Sequence, residues 1–248
     1  MKVVNTLSEY SDENGNKIFF SGNVDKLIKI VFKGKNNVLH VHDDAIPSYL
    51  YIGFYCDNGL CVIGKTRGGF NINMGQDCTV KISDDVTTTD KCSINVAEGA
   101  SVSIGKDCMF AIGATIRADD AHAIFDVNSG LRVNPTRDVV IGEHVWFGEG
   151  VVILGGTTIH NGSVIGLRSV VKGVISNNSV AVGVPARVVK KNIAWERPHL
   201  NLNEPYYKPD STTIKKSPYW NLTEDANVPC KKNVKTSFIN RLLARLFK

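Results

Sequence analysis

Bulky apolar residues stand at Ile141, Phe147, Ile153, Ile159, Ile165 and Val171, a spacing of six that never slips. Four residues after each of the first five come Val145, Val151, Thr157, Ser163 and Ser169, all small or β-branched, and Gly142, Gly148 and Gly166 directly follow three of them. With about a third of positions bulky and apolar, six hits in one phase arise by chance about once in 700, or roughly once in 100 over all phases. An α-helix cannot use this period, because at 3.6 residues per turn successive hits rotate by about 240° and spread over every face. Short strands can. Each hexapeptide makes one flat side with alternate residues pointing inward, three sides close a triangular coil, and stacked coils bury a continuous apolar prism. The expected fold is therefore all-β, a parallel β-helix.

The same columns continue upstream through Ile104, Phe110 and Ile116, with Cys108 and Ala114 as the small inward residues. Before about residue 100 the apolar residues persist (Val80, Ile82, Ile94, Val96) but the phase slips, so irregular coils are expected there, with β-structure from about Ile18. Between Ile116 and Val139 the period breaks. The stretch 117–138 is polar and punctuated by Gly, Asn and Pro, which predicts an excursion loop, the usual place for function on a rigid scaffold. Its one histidine is His122. After Arg197 the chain changes character: Pro198, Pro205, Pro209 and Pro218 break it into an extended polar segment that either wraps the assembly or trails from it. At its end Ser237 caps an expected short helix over 237–248, with Phe238, Ile239, Leu242, Leu243, Leu246 and Phe247 on one face and Arg241, Arg245 and Lys248 opposite. The organisation read from the sequence is a β-helix domain over 1–195 with a loop at 117–138, and a C-terminal extension over 196–248.

Composition narrows the function classes. At 43% hydrophobic and 21% charged residues the chain has an ordinary globular balance. Its apolar runs, such as Val151 to Leu154, fall far short of the roughly 20 residues that span a bilayer. No signal-peptide stretch follows Met1, so a cytoplasmic location is expected. The apolar face of this basic amphipathic end needs a cover, by default through docking on the protein itself, with a peripheral contact at the inner membrane or its export machinery as the alternative. Six cysteines without a Cys-x-x-Cys pair read as reduced thiols rather than a disulfide framework or zinc site. The net charge of +5 admits an anionic partner, but no basic cluster interleaved with aromatics suggests nucleic acid.

The stretch Val140-Ile-Gly-Glu-His-Val-Trp-Phe-Gly148, followed by Ile153-Leu-Gly-Gly-Thr-Thr-Ile159, Ser163-Val-Ile-Gly166 and Gly183-Val-Pro-Ala-Arg-Val-Val189, resembles the hexapeptide acyltransferases of the galactoside, nodulation and serine acetyltransferase superfamily. The resemblance spans about residues 100 to 195. Asp120-Ala-His122 is similar to the family's Asp-x-His active-site segment, and Asn192-Ile-Ala-Trp195 to the tail of its polysaccharide-modifying members, above all the bacterial capsule O-acetyltransferases acting on polysialic acid. The chain departs from the pattern at Leu167-Arg168-Ser169, where the family usually has Ala-Gly-Ser, a position that bears on acyl-donor contacts. The resemblance implies a left-handed β-helix, a homotrimer with active sites in the clefts between neighbouring prisms, and acetyl-CoA lying along the coils.

The chemistry can be weighed on its own terms. A sugar hydroxyl is a weak nucleophile, so transfer from a thioester needs a base near its proton, and histidine titrates in the useful range. His122 is the candidate base, in direct transfer without an acyl-enzyme, with Asp120 as the candidate to orient its imidazole. Trp146 lies between inward Val145 and inward Phe147, so alternation points its indole outward, suited to a subunit contact or to positioning the acetyl donor or acceptor. For the donor, Gly148 and Gly166 permit close approach of a pantetheine arm, Lys172, Arg187 and Lys190 are cations at the expected nucleotide end, and Arg168 points outward. Arg117, Arg132 and Arg137 flank His122 and suit a carboxylate-bearing acceptor such as sialic acid.

His40, His42, His144 and His160 raise the alternative of a three-histidine zinc site, as in trimeric β-helix carbonic anhydrases; their scatter reads better as surface histidines, and no metal is expected. The expected function is an acetyl-CoA-dependent O-acetyltransferase of an acidic capsular polysaccharide. Its rivals are an acetyltransferase for an amino sugar, serine or an antibiotic, and a non-catalytic glycan-binding scaffold.

Overall fold

The computed structural model describes residues 1–221, which form a three-sided parallel β-helix. In the upper coils the first side carries Met109–Phe110, Trp146–Phe147, Val164–Ile165 and Val180–Gly183. The second carries Thr115–Arg117, Val152–Leu154 and Val170–Val171, and the third Ser101–Ile104, Val139–Ile141, Thr158–Ile159 and Val174–Ile175. The register is the hexapeptide register. Phe147 pairs with Ile165, Ile153 with Val171 and Ile141 with Ile159, so each partner lies one coil of three hexapeptides further along the chain. All six bulky residues from Ile141 to Val171 are buried, as are Val145, Val151, Thr157, Ser163 and Ser169. The buried hydroxyls are satisfied: Thr157 donates to the Val171 carbonyl at 3.1 Å, and Ser163 to the Ser176 carbonyl at 2.8 Å. Cys108 is an inward residue, as expected, and burial pushes its thiol up to about 12. The five described cysteines are free thiols.

The N-terminal coils are more regular than their sequence suggests. Long strands at Ile46–Phe54, Arg67–Met74 and Thr87–Val96 turn one corner and serve both the first and the second side. Ile30, Ile52, Ile72, Ile94 and Ile116 stack in one inward column, but each coil between them is longer than three hexapeptides, and the coils are not all equal. Extra corner residues displace the apolar columns in sequence while leaving them aligned in space. β-structure also starts earlier than Ile18. Lys2–Val4 pairs antiparallel with Ile28–Phe32, and Tyr10–Ser11 with Lys17–Phe19, which closes the lower end. Ala186–Lys190 folds back antiparallel on Val180–Gly183 at the upper end. The upper hairpin covers the edge of the first side, while Val170–Val171 and Val174–Ile175 are the last strands of the second and third sides.

The extension beyond the upper hairpin runs back along the prism as a strap. Trp195 is buried, its indole donating to the His144 carbonyl at 3.0 Å, and its ring stacks on the His144 imidazole at 4.0 Å. Tyr219 stacks on the same imidazole at 4.4 Å. Arg197 donates to Asp107, to Thr87 Oγ1 at 2.9 Å and to the Asp85 carbonyl at 3.0 Å. His144 is consequently not a surface histidine; only 2% of it is exposed. Its Nδ1 lies 2.6 Å from Asp107 and its Nε2 3.0 Å from the Trp195 carbonyl. Both partners are acceptors, so both bonds form when each ring nitrogen carries a proton. The helix expected over 237–248, and Cys230, lie outside the described residues. Among the described residues no helix is long and apolar enough to cross a membrane.

Candidate active site

The excursion loop leaves the second side at Arg117 and returns to the third side at Val139. Its entry is a tight turn. Asp119 accepts from the Ala121 amide at 2.8 Å and lies 3.4 Å from Arg117 Nη2, Ala121 takes a left-handed φ of 62°, and the His122 amide donates to the Asp120 carbonyl at 2.7 Å. Beyond it Ile124 and Val133 pair, with Phe125 opposite Arg132, and the tip turns at Asp126–Gly130.

Asn134 ties this loop together. Its Oδ1 accepts from the Ile124 amide at 2.7 Å and Arg132 Nε at 3.2 Å, while Nδ2 donates to the His122 carbonyl at 2.8 Å and to Asp120 Oδ2 at 3.0 Å. The direct contact expected between the Asp120 carboxylate and the His122 imidazole is not made, because that carboxylate is turned to Asn134. The His122 backbone is held at both its amide and its carbonyl, and its imidazole is exposed, without a hydrogen bond among the described residues. A histidine so placed leaves both ring nitrogens open to a ligand.

At the loop base lies a depression of about 130 Å³ lined by Asp119, Asp120, Asn134, Arg137, Leu154 and Lys172. Arg137 and Lys172 bring two positive charges to it, and Asp119 and Asp120 two negative ones. Lys172 thus belongs to the loop region on the second side, while Arg187 and Lys190 are exposed on the upper hairpin, so the three cations grouped together from sequence stand apart. Arg132 is engaged with Glu98 and with the Asn134 carbonyl, which makes it a loop brace. A larger hollow of about 320 Å³ lies at another corner beside Arg67 and Arg197. Its size does not make it the site: Arg197 is committed to Asp107, Lys65 pairs with Asp44 at 3.5 Å, and no residue of the excursion loop lines it, whereas Asp119, Asp120 and Asn134 line the smaller depression.

Trp146 points outward from the first side, 39% exposed, with Trp195 5.9 Å away. It stands on a different side of the prism from the loop of its own chain. Gly148 and Gly166 have a reason internal to the coil: a Cβ on Gly148 would lie 2.7 Å from the Leu167 amide nitrogen, and one on Gly166 2.5 Å from Val182 Cγ1. Arg168 occupies a left-handed corner with φ 52°, which explains why glycine suits this position and costs an L-residue about 1 kcal/mol. His40 stacks on Phe19 at 4.3 Å, and among the described residues no group of three or more His, Cys, Asp or Glu is placed to hold a metal. Sequence reasoning missed Asn134, whose only signal is an ordinary Asn-Pro pair, and the Asp107–His144–Arg197 network.

A parallel β-helix built on hexapeptides, with a histidine-bearing loop leaving one edge, defines the class of hexapeptide-repeat acyltransferases. The family model for "Bacterial transferase hexapeptide (six repeats)" matches residues 138–173. The polysialic acid O-acetyltransferase of Neisseria meningitidis is 36% identical over 187 residues, 74% of this chain and 77% of that protein. A polysialic acid O-acetyltransferase of Escherichia coli O1:K1 is 35% identical over 129 residues, 52% of this chain but only 39% of the relative. Among solved structures, that of the polysialic acid O-acetyltransferase OatWY superposes with a TM-score of 0.59 at 32% identity, covering 68% of this chain and 92% of that one. The chain belongs to the hexapeptide-repeat acyltransferases of the left-handed β-helix fold, in the branch that contains these O-acetyltransferases.

Proposed function

We propose that this protein transfers the acetyl group of acetyl-CoA to a hydroxyl of a sialic-acid-containing capsular polysaccharide, with His122 as general base. The observation that carries the reading is the His122 segment itself, pinned through Asn134 with its imidazole unengaged, two residues from the Asp120 that lines a depression shared by Asp119, Arg137 and Lys172. The acceptor oxygen attacks the thioester carbonyl carbon as His122 takes the hydroxyl proton. The tetrahedral intermediate collapses, the C–S bond breaks, and the imidazolium returns the proton to the departing thiolate. Holding both substrates in one cleft supplies orientation, and the base contributes about 10²–10⁴-fold. Arg137 and Lys172 suit the carboxylates of the acceptor.

The site is shared between copies in a homotrimer. His122 and Trp146 lie on different sides of one prism, so they face a common cleft only when the loop of one copy reaches the first side of another. The loop is built for such a contact: Ile124, Phe125, Val127, Leu131 and Val133 are all more than half exposed, an apolar finger that a second copy would cover. The test is product analysis. Incubation with acetyl-CoA and polysialic acid is expected to yield ester-linked acetyl on sialic acid residues, removable by mild base; acetyl found on no sialic acid residue, with an amino sugar modified in its place, rejects the reading.

A further inference from the structure

The outward residues of the second side change character down the prism. Alternation from inward Ile30, Ile52, Ile72 and Ile94 turns Lys29, Lys33, Tyr49, Tyr51, Tyr55, Asn71, Asn73, Lys91 and Asn95 to the outside. The parallel register stacks them into axial rows. Lys29 pairs with Tyr51 and Tyr51 with Asn71 in one row, while Asn73 pairs with Asn95 and Asn95 with Arg117 in the next. Lysines sit over the phenol rings: Lys33 Nζ is 4.5 Å from the Tyr55 centroid, Lys91 Nζ 5.3 Å from Tyr49 and Lys29 Nζ 6.0 Å from Tyr51. Tyr51 and Tyr55 join their hydroxyls at 2.8 Å, and Asn73 donates to Asn95 at 3.1 Å. None of these outward positions is a carboxylate; the nearest acids are Asp57, Glu98 and Asp119 beyond the strand ends and Asp90 at the strand corner next to Lys91.

We propose that this strip of lysine, tyrosine and asparagine is a binding track for a long polyanionic glycan, which it feeds to the loop site; the proposal rests on the reading of the acceptor given above. The chemistry matches a sialic acid polymer. Phenol rings stack on the apolar faces of sugar rings, amides bond to hydroxyls, and ammonium groups meet the carboxylate on each residue. The geometry also matches. Four strand steps of about 4.8 Å separate Lys29 from the strand of Arg117, a straight path of about 19 Å on a rigid scaffold. It ends where the excursion loop begins and where Lys172 and Arg137 line the depression. The strip therefore distinguishes long acceptors from short ones, since a di- or trisaccharide in the depression meets only its near end and leaves the far end at Lys29 and Lys33 untouched.

The experiment measures equilibrium binding of long-chain polysialic acid, without acetyl-CoA, to the wild-type full-length chain, to the triple variant Lys29→Glu/Lys33→Glu/Lys91→Glu, to Tyr51→Ala/Tyr55→Ala and to His122→Ala. Light scattering on each sample reports the oligomeric state. The expected result is at least about tenfold weaker binding for the triple variant at low salt, a smaller loss for the tyrosine pair, and wild-type binding for His122→Ala. In turnover, KM for long chains rises in the triple variant while KM for a sialic acid trimer and for acetyl-CoA stays put. Binding that survives charge reversal, or absent binding by wild type, overturns the track. So does a changed oligomeric state in the triple variant, which makes the strip a subunit interface. Charge-sensitive binding without any acetyl transfer leaves the track standing and rejects the proposed reaction alone.

Discussion

Replacing Asn134 by alanine removes the four hydrogen bonds that hold the His122 segment, two accepted from the Ile124 amide and Arg132 and two donated to the His122 carbonyl and Asp120. Three are exposed and the one from Arg132 is part-buried, so each nets the low end of the usual range, about 0.5 kcal/mol. Their sum is about 2 kcal/mol against the tethered conformation, and about 1.4 kcal/mol is a factor of ten in a population. The expected fall in kcat/KM is therefore about 10–30-fold. The loop contributes nothing to the apolar prism beyond Ala118, so the thermal midpoint stays near that of wild type. Asn134→Asp separates the two kinds of bond: it keeps the acceptor for Ile124 and Arg132 but places a carboxylate against Asp120 and the His122 carbonyl, and activity falls at least as far. The assay is the initial rate of thiol release from acetyl-CoA with polysialic acid, alongside a melt followed by far-ultraviolet circular dichroism. Wild-type kcat/KM in Asn134→Ala, or a fall accompanied by loss of the β-helix melt, refutes the reasoning.

Phe147→Ala empties a fully buried site whose ring stacks on Phe110 at 4.4 Å, so urea unfolding should show a loss of about 3–5 kcal/mol. Arg197→Ala frees the strap from Asp107 and Thr87, and limited proteolysis should cut the chain after residue 195 faster than in wild type, with the prism left intact. At Asp107 burial works to raise the carboxyl, but the hydrogen bonds from His144 and Arg197 outweigh it and hold it below the usual carboxylate range. Its stabilisation is thus full above the ordinary carboxylate pKa and disappears as pH falls through the lowered value; acid titration of Asp107→Asn should lack that part of the wild-type loss. Refolding inactive His122→Ala together with inactive Trp146→Ala should restore part of the activity, since a shared site leaves some clefts with both wild-type residues; a mixture as inactive as either parent places both residues in one chain's own site.

The upper coils are legible in the sequence because the steps from Ile141 to Ile159, Phe147 to Ile165 and Ile153 to Val171 are each three hexapeptides long, so sequence phase and spatial column coincide there; the last step, from Ile159 to Ile175, is shorter. The lower coils are not, because their longer and unequal circuits shift the phase at each corner while Ile30, Ile52 and Ile72 stay stacked. His144 escapes the sequence for a related reason. Its corner position is outward by phase, and only the strap, far downstream in the chain, covers it with Trp195 at 4.0 Å. His122 stands out because a histidine in a break of the repeat is conspicuous. Asn134 does not, since its importance comes from bonds to residues that share no sequence pattern with it.

The central claim is that His122 takes the proton from a polysialic acid hydroxyl as acetyl-CoA is attacked. Thiol release from acetyl-CoA, with and without polysialic acid, on wild type and on His122→Ala, tests it most directly. The account predicts release that requires the glycan, a fall of about 10²–10⁴-fold in kcat for His122→Ala, and an unchanged affinity for acetyl-CoA. Glycan-dependent release that persists at the wild-type rate in His122→Ala would contradict it.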